Sequence, residues 1–387
     1  MSPDFEQSAV LILMGTLEIG GSESKFVSLS RRLHAAEKNI HVGYLRGPFT
    51  LLSRLADVPN VHFEQQGKWS LRAYRALRRY VHANKIATIV TVNPYPLAYA
   101  CFGTLNNGAS PVRVVASINT SEILSRREQR FMRLYSMLLR RCGHIVFGSR
   151  RQQELWVARY RLASARSSVI YNGVDSRYFS PDSVRESRAE VRARTGIPQD
   201  EPVIVCVGQL RPEKAHVRLV SAVAELNEAG ERPVHLLIVG DGAERDKIDQ
   251  KIHETGTGQL VHMVGSTDDV RPYLKAADLF ALTSIAVETF SNAALEAAAM
   301  GLPVVMSNVG GASEMFPDSE NCLLYEKDDQ PALVEALRSQ LERIQTGAST
   351  GNSLRDIVKA RYSLESMDAD WCDVLWQKLA DRQAKLQ

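Results

Sequence analysis

The stretch LFALTSIAVETFSNAALEAAAMGLPVVMS, residues 279–307, decides the fold. It begins with the apolar run LFALTS, passes through a loop into the alanine-rich SNAALEAAAM, and ends in a second apolar run, PVVMS. The two runs predict buried strands, and the segment between them predicts a helix that Ser291 or Asn292 caps. Gly301 and Pro303 are placed to end that helix. The stretch therefore predicts a strand–helix–strand unit, the building block of a parallel α/β sheet.

The same alternation of apolar runs and helical segments extends along the whole chain in two series. The runs are VLILM, HVGYL, TIVTV, VRVVAS, HIVFGS and SSVIY in the first series, and PVIVCVGQL, HLLIVGD, VHMVG, LFALTS and PVVMS in the second. Residues 176–200 between them are polar and charged and predict a linker. We therefore expect an α/β fold of two Rossmann-like, doubly wound domains, residues 1–175 and 201–360, that face each other across a deep cleft.

The composition is that of a globular, water-soluble protein. Hydrophobic residues make up 44% and charged residues 24% of the 387 residues. No apolar run approaches the roughly 18 residues that a membrane-spanning helix needs, and the polar start MSPDFEQS lacks the basic flank of a signal peptide. The five cysteines form no CxxC pair, which argues against a zinc site and a disulfide framework. We expect a reduced, cytoplasmic protein.

Basic residues are concentrated in the first half of the chain. Residues 1–175 contain 24 Lys and Arg against 11 Asp and Glu, whereas the remainder contains 23 against 33. This asymmetry predicts an anionic partner for the first half, with a merely solvated surface as the alternative. Two segments, residues 70–85 and 125–141, predict basic amphipathic helices that can lie on an anionic membrane. The alternative is that their apolar faces pack on the sheet and their arginines are solvated.

Two glutamates flank the start of the predicted helix in residues 291–300. Glu288 precedes the helix and Glu296 lies within it. The first-turn amides have no partner inside a helix, and the helix dipole is positive there, so an anion such as a diphosphate is favoured. Beside such a site, the carboxylates would accept hydrogen bonds from the hydroxyls of a bound sugar and ribose. The alternative is that both glutamates are solvated surface residues.

Two further strand ends carry candidate binding residues. The strand in VGQLRPEK, residues 207–214, is followed by Arg211 and Lys214, which could neutralise phosphate charge. The first strand is followed by Gly20 and Gly21, which permit positive φ and a close approach of the backbone to a ligand; Ser22 or Ser24 could cap the next helix. Ordinary surface cations and a plain tight turn are the alternatives.

Together, these features resemble the retaining glycosyltransferases of family 4, which have the GT-B fold. The resemblance spans residue 15 to about residue 325, and its motifs occur in the family's order. The motifs are GGSE (20–23), YNGVD (171–175), VGQLRPEK (207–214), ETFSNAALEAAAMGLPVV (288–305) and GGASE (310–314). The resemblance also implies that the terminal segment, residues 361–387, forms a helix that packs back on the N-terminal domain.

The resemblance assigns a role to each candidate residue. Arg211 and Lys214 would hold the donor diphosphate, helped by backbone amides near Phe290, Ser291 and Asn292. Glu288 would contact the donor sugar and Glu296 the ribose, while Gly20 and Gly21 would approach the diphosphate from the N-terminal domain. The base would be contacted by backbone near Val264.

The sequence departs from the family at one position. Many relatives carry a histidine that touches the donor sugar after the strand corresponding to VRVVAS. Here Asn119 stands in that place, and an asparagine can donate and accept hydrogen bonds but cannot titrate. A sugar contact at Asn119 remains an expectation, without acid–base chemistry.

The resemblance implies transfer of a sugar from a UDP- or GDP-linked donor to a carbohydrate or lipid-linked acceptor in bacterial cell-surface polysaccharide or glycolipid synthesis. No Asp-x-Asp motif stands in a convincing context, so we expect no metal and no other cofactor. Two other functions stay open: a nucleotide-sugar epimerase or phosphorylase of the same fold, and a nucleic-acid-binding module. We expect no nucleic-acid partner, because the basic half lacks interleaved aromatic platforms and known binding motifs.

Overall fold

The computed structural model describes residues 8–376 except 19, 68, 104–111, 121–125, 231 and 318, and within residues 126–134 several side chains are also left out. The described chain divides into two compact units. Of the described residues, those up to residue 170 and those from residue 367 onward form the first unit, and residues 171–366 form the second.

The first unit is built on a seven-stranded parallel sheet in the order β3-β2-β1-β4-β5-β6-β7. Its strands are β1 (Ala9–Met14), β2 (Ile40–Tyr44), β3 (Asn60–His62), β4 (Ile86–Val92), β5 (Arg113–Ile118), β6 (His144–Phe147) and β7 (Ser167–Val169). Its helices are α1 (Gly21–Ala35), α2 (Leu71–Ala83), α3 (Pro94–Gly103), α4 (Arg126–Leu139) and α5 (Arg150–Tyr160). All six residues of β1 are buried, as a strand covered on both faces requires.

The second unit has a six-stranded parallel sheet in the order β10-β9-β8-β11-β12-β13. Its strands are β8 (Val203–Val207), β9 (His235–Val239), β10 (Val261–Gly265), β11 (Leu279–Leu282), β12 (Val304–Ser307) and β13 (Cys322–Tyr325). Its helices are α6 (Arg188–Thr195), α7 (His216–Ala229), α8 (Arg245–Glu254), α9 (Arg271–Ala276), α10 (Asn292–Ala299), α11 (Ala312–Met315), α12 (Gln330–Gln345) and α13 (Asn352–Arg361). The order matches that of doubly wound dinucleotide-binding sheets. The expected α/β class with two Rossmann-like domains is confirmed.

The segment expected as a linker, residues 176–200, is instead an integral part of the second unit. It contains α6, whose Arg192 side chain is fully buried and pairs with Asp278 at 2.8 Å. The same guanidinium donates to the backbone carbonyls of Ala276, Pro198, Gln199 and Glu201. These contacts hold the segment against the second unit, although most of its other polar residues are exposed or only partly buried.

A last helix, α14 (Leu364–Trp376), begins at the end of the second unit and continues into the first. Trp371 is buried there, and its ring meets that of Phe26 edge-on at 5.1 Å. Asp368 accepts two hydrogen bonds from Arg32, at 2.6 and 2.7 Å. The terminal helix is therefore a structural part of the first unit.

Candidate functional site

The second sheet reverses its strand order between β8 and β11, because the chain runs outward from β8 to β10 and then returns to the other side of β8. In open parallel sheets, ligands bind outside the carboxyl ends of the strands at such a switch point. The segments that follow these two strands are residues 208–214 and 283–290. They contain Arg211, Lys214 and Glu288, so the topology places these predicted residues at the expected position.

Lys214 and Glu288 form an ion pair, with 2.5 Å between Nζ and Oε2. The same carboxylate oxygen accepts a hydrogen bond from Ser284 Oγ at 3.0 Å. Both side chains are mostly buried, with 24% and 15% of their surface exposed. The backbone below the pair is also fixed, because Thr283 Oγ1 donates to the Lys214 carbonyl at 2.9 Å. The structure thus brings together two residues that the sequence singled out separately.

Arg211 is not part of this pair. Its guanidinium is 54% exposed, and its ion-pair partner Glu213 lies 3.9 Å away. An exposed pair at that distance contributes little to stability, so the guanidinium can reorient toward a ligand at small cost.

The start of α10 lies at the end of the same loop. Ser291 is the cap, and its hydroxyl accepts from the Ala294 amide at 3.2 Å; the alternative cap, Asn292, is the exposed first residue of the helix. Phe290 is buried against the rings of Tyr171 and Tyr362, at 4.8 and 5.2 Å. This anchoring holds the positive end of the helix in a defined position beside the ion pair.

Glu296 lies one turn further along α10 and is half-buried. Burial raises the pKa of its carboxyl from the ordinary 4.5 to about 7. Within the described part of the chain, no hydrogen bond to this carboxyl is seen. A carboxyl held away from water in this way has hydrogen-bonding capacity for a hydroxyl-bearing ligand.

Three glycines are needed for the loops to meet. A Cβ on Gly310, whose φ is +62°, would lie 1.7 Å from the Glu288 carbonyl oxygen. Gly240 and Gly242, also at positive φ, pack against the carbonyls of Gly208 and Leu210 in the turn after β8. A side chain at Gly310 would displace the loop that carries Glu288, and a side chain at Gly240 or Gly242 would displace the turn that leads to Lys214.

Val264 is further from the switch point. It lies on β10, the edge strand, which two strand spacings separate from β8. Val264 also packs partly against the second unit's core. A cavity of about 480 Å³ lies elsewhere in this unit, near Pro202 and Leu341, and none of the predicted site residues is among the described residues that line it.

The first unit has a similar switch point between β1 and β4, and Gly20 and Gly21 follow β1 there. Gly20 is the cap residue of α1, with an extended φ of −157°, and Gly21 is the first residue of the helix. Neither glycine uses the positive φ that its lack of a side chain permits. The expected caps Ser22 and Ser24 are wrong, because both lie inside the helix.

Sequence reasoning missed Lys25, which lies in the second turn of α1. Its Nζ donates to Asn119 Oδ1 at 2.8 Å, while the Asn119 amide nitrogen donates to Ser117 Oγ at 3.2 Å. Burial lowers the pKa of the Lys25 amine to about 8. Lys25 lies on the same side of α1 as the buried Leu29, which follows four residues later. This spacing was the signal in the sequence that the Lys25 side chain turns toward the interior. Asn119 is thus joined to a titratable group, although it cannot titrate itself.

Two negative observations complete the description of the candidate site. Among the residues that the structure describes, no three His, Cys, Asp or Glu side chains are grouped so that they could hold a metal ion. In the same part of the chain, every helix is too short or too polar to cross a bilayer.

The two sheet orders and the charged switch-point loop define a protein with paired Rossmann-like domains. Two family models match the chain, "Glycosyltransferase Family 4" over residues 19–178 and "Glycosyl transferases group 1" over residues 187–353. The chain therefore belongs to the family 4-like glycosyltransferases of the GT-B fold, as the sequence motifs indicated.

Individual relatives are similar over different lengths. The lipopolysaccharide core biosynthesis glycosyltransferase LpsE of Rhizobium meliloti is 34% identical over 146 residues, which is 38% of this chain and 41% of that protein. A GDP-mannose-dependent α-(1-6)-phosphatidylinositol monomannoside mannosyltransferase of Mycobacterium tuberculosis is 26% identical over 77% of this chain and 78% of its own length. The chain thus matches less than half of the length of the more identical relative.

Solved structures share the fold over nearly the whole chain. Anabaena HepE, crystallised in complex with UDP and glucose, superposes with a TM-score of 0.81 at 22% identity. The superposition covers 95% of this chain and 99% of HepE. At this identity the likeness establishes the fold alone.

Proposed function

We propose that this protein transfers a sugar from a nucleotide diphosphate donor to an acceptor hydroxyl, with retention of the anomeric configuration. The observation that carries the proposal is the Lys214–Glu288 pair beside the start of α10, at the switch point of the second sheet. This arrangement offers a cation, backbone amides and a carboxylate within one loop system. The cation and the amides could bind a diphosphate, and the carboxylate could accept hydrogen bonds from the hydroxyls of the attached sugar.

The proposed chemistry depends on stabilising the leaving group. As the bond between the anomeric carbon and the phosphate oxygen breaks, negative charge grows on the diphosphate. Lys214, Arg211 and the first amides of α10 are positioned to stabilise that charge, and fixed groups of this kind usually contribute more to catalysis than any other single effect. In the structure, Glu288 pairs with Lys214. A bound diphosphate would replace Glu288 as the partner of Lys214, and Glu288 could then accept hydrogen bonds from the sugar hydroxyls.

We propose displacement on one face of the sugar, rather than double displacement through Glu288, as the route to retention. A double-displacement enzyme needs a carboxylate poised to attack the anomeric carbon, whereas Glu288 is tied to both Lys214 and Ser284. We therefore write the reaction with the acceptor oxygen attacking on the face from which the diphosphate departs. The new bond joins the acceptor oxygen to the anomeric carbon, and the departing phosphate oxygen takes the acceptor proton.

The donor is proposed to be UDP- or GDP-linked, and the reaction is proposed to need no metal. Relatives and structural neighbours include a GDP-mannose-dependent enzyme and a protein crystallised with UDP, which supports both bases as candidates. The cations and helix amides would neutralise the charge of the diphosphate, which is the role of a metal ion in other enzymes. Cell-surface polysaccharide or glycolipid synthesis is the proposed context, since the name of LpsE refers to lipopolysaccharide core biosynthesis.

The experiment that tests the proposal is an assay of the purified protein against UDP- and GDP-sugars with a panel of glycoside acceptors, in the presence and absence of EDTA. We expect a new glycoside with the anomeric configuration of the donor by NMR, unaffected by EDTA. Epimerised donor without a new glycoside would support the epimerase alternative, and a requirement for inorganic phosphate would support the phosphorylase. Oligonucleotide binding tighter than donor binding would overturn the proposal.

An anionic membrane surface is the proposed location of a lipid-linked acceptor, at the cytoplasmic face. On the first unit, Trp69 and Leu71 lie beside the start of α2 and are 52% and 74% exposed. Phe102 is 45% exposed and is joined to the same helix, because the Tyr74 hydroxyl donates a hydrogen bond to its backbone carbonyl. The arginines of α2, Arg72, Arg75, Arg78 and Arg79, are also exposed. In the second basic segment, the side chains of Arg126, Arg127, Arg130, Arg133 and Leu134 lie outside the described residues.

Vesicle sedimentation tests the membrane proposal. We expect binding to phosphatidylglycerol vesicles at low salt, weakened at least tenfold when Arg72, Arg75 and Arg79 are replaced by Gln, because each cation adds roughly 1 kcal/mol near such a surface. The matched control replaces Arg245, Arg338 and Arg361 of the second unit by Gln. Equal binding by both triple variants, or no binding at any salt concentration, would defeat it.

A further inference from the structure

The turn after β8 carries Lys214, and its backbone is held from the end of the neighbouring strand β11. Thr283, the first residue after β11, is buried, and its hydroxyl donates to the Lys214 carbonyl at 2.9 Å. The same hydroxyl lies 3.3 Å from the Ala215 carbonyl. Two residues further along, the Ile285 amide donates to the Glu213 carbonyl at 2.8 Å. Three consecutive carbonyls of the turn therefore accept hydrogen bonds from one short segment.

The turn needs this support because its backbone is in an unfavourable conformation. Ala215 adopts a φ of +50° and a ψ of +40°, in the left-handed region that residues other than glycine rarely occupy. Such a conformation persists only where the surrounding structure imposes it. It turns the chain from the short 3₁₀ helix Pro212–Lys214 into α7, which begins at His216. The place of Lys214 in the turn therefore depends on contacts from outside the turn.

Thr283 joins the two segments that carry the ion pair. The loop that begins at Thr283 also carries Glu288, whose carboxylate lies 2.5 Å from Lys214 Nζ. Its hydroxyl thus links the backbone of one partner to the base of the loop that bears the other. Thr283 is only 1% exposed, so a bound diphosphate would reach Lys214 but not this hydroxyl. Any effect of Thr283 on a ligand therefore has to pass through the turn.

We infer that Thr283 is a positioning residue for the diphosphate site, and that its hydroxyl fixes the turn from which the Lys214 amine reaches the ligand. The inference rests on the proposed function and extends it to a residue that acts through Lys214. A cation that is fixed in advance stabilises charge without reorganising as the ligand binds or reacts. Without the hydroxyl, the turn would have to be ordered at each binding event, which costs affinity.

The inference is tested by calorimetric binding of UDP and GDP to the full-length protein. Thr283→Val keeps the shape of the side chain and removes the hydroxyl. It should raise the dissociation constant of the nucleotide that wild type binds about tenfold, because a charge-assisted hydrogen bond from Lys214 is weakened. Thr283→Ser keeps the hydroxyl and should bind as wild type does. Thr283→Ala removes the same hydroxyl in a smaller side chain and should weaken binding as the valine does, so the result does not depend on how one variant folds.

A double variant separates positioning from a general structural effect. When Lys214 is already replaced by Ala, adding Thr283→Val should change the dissociation constant by less than about twofold, because Thr283 acts through the lysine. The matched control is Thr257→Val, which removes an equally buried hydroxyl of the same unit that bonds to Thr255 at 2.9 Å. It should leave nucleotide binding unchanged.

The outcomes distinguish this inference from the proposed function. If wild type and Thr283→Val bind the nucleotide equally well, or if the loss is as large in Thr283→Ser or in the Lys214→Ala background, Thr283 has no positioning role. If wild type binds neither UDP nor GDP, the proposed function itself fails, and the role of Thr283 fails with it.

Discussion

The Lys214–Glu288 pair shows how single residues acquire a role from their neighbours. Each side chain alone is a charged residue after a strand, but Nζ and Oε2 lie 2.5 Å apart and Ser284 donates to the same oxygen, so the proposed diphosphate would have to displace this ion pair. The ion pair keeps both charges in place before a ligand arrives. The cation in the turn after β8 and the carboxylate before α10 are thus partners in one ion pair.

Replacing Lys214 by Ala should lower kcat about 10²–10³-fold, the usual loss for one fixed group that stabilises the leaving charge. The overall fold should persist, because the pair is partly exposed and lies on loops. Steady-state kinetics with the donor identified by the assay provide the measurement. Lys251→Ala, which breaks the ion pair with Glu254 on α8, is the control, and a kcat near the wild-type value in Lys214→Ala would remove Lys214 from the mechanism.

Glu296 should make the protein less stable as pH rises. Because burial raises its pKa from 4.5 to about 7, the folded state holds this proton more tightly than the unfolded state. The stability that it contributes is complete below pH 4.5 and is lost as pH rises through about 7. The free energy of unfolding of Glu296→Gln should therefore exceed that of wild type by on the order of 2 kcal/mol at pH 8 and be similar at pH 4.5, so the variant should unfold at a higher temperature only at pH 8.

Thermal unfolding at the two pH values provides the comparison. The control is Glu335→Gln on α12, whose partner is Arg338 on the surface. An equal difference between Glu296→Gln and wild type at both pH values would show that this carboxyl does not titrate differently in the folded state.

The sequence predicted the helices and strands that contain clear apolar runs and missed those that do not. The quoted stretch 279–307 predicted β11, α10 and β12 with small errors at the ends, because burial, capping and helix termination are all local there. Strands β3 and β13 were not predicted; both are edge strands, and each is partly exposed. Helix α6 was hidden by its charges, although Ser187 and Glu190 form the capping box that marks its start.

The anchoring of α6 can be tested at Asp278. Its carboxylate pairs with the buried Arg192 and with Arg188, and accepts from the Val203 amide at 2.9 Å. Asp278→Ala leaves a buried guanidinium without its charge partner and should cost about 3–5 kcal/mol. Urea unfolding gives the measurement, with Asp200→Ala, an 84% exposed carboxylate, as the control. A loss below about 1 kcal/mol would mean that the backbone carbonyls alone satisfy Arg192.

At the scale of the molecule, α14 contacts the first unit through pairs of residues that are far apart in the chain. Arg32 and Asp368 are 336 positions apart, and Trp376 Nε1 donates to the Ser8 carbonyl at 3.0 Å. The family resemblance predicted the helix and its partner domain, but no spacing in the sequence predicts these pairs. The same holds for Lys25 and Asn119, because which strand ends meet depends on the order of strands in the sheet.

Trp371→Ala should lower the stability of the first unit by about 3–5 kcal/mol, because it removes a buried ring that packs on Phe26. Trp69→Ala, at a position 52% exposed in the same unit, is the matched control and should change stability by less than about 0.5 kcal/mol. Thermal unfolding and limited proteolysis of the first unit give the measurement. Equal effects of both variants would show that α14 adds no packing energy.

The discontinuity of the first unit has a consequence for biosynthesis. A ribosome releases the seven strands of that unit early, but the tryptophan that completes its core comes only after all of the second unit has been translated. The second unit is continuous in sequence and can reach its native state first, which reverses the usual vectorial order of folding. Until α14 emerges, Phe26 on α1 lacks the Trp371 ring that packs against it, so the packing of the first unit stays incomplete.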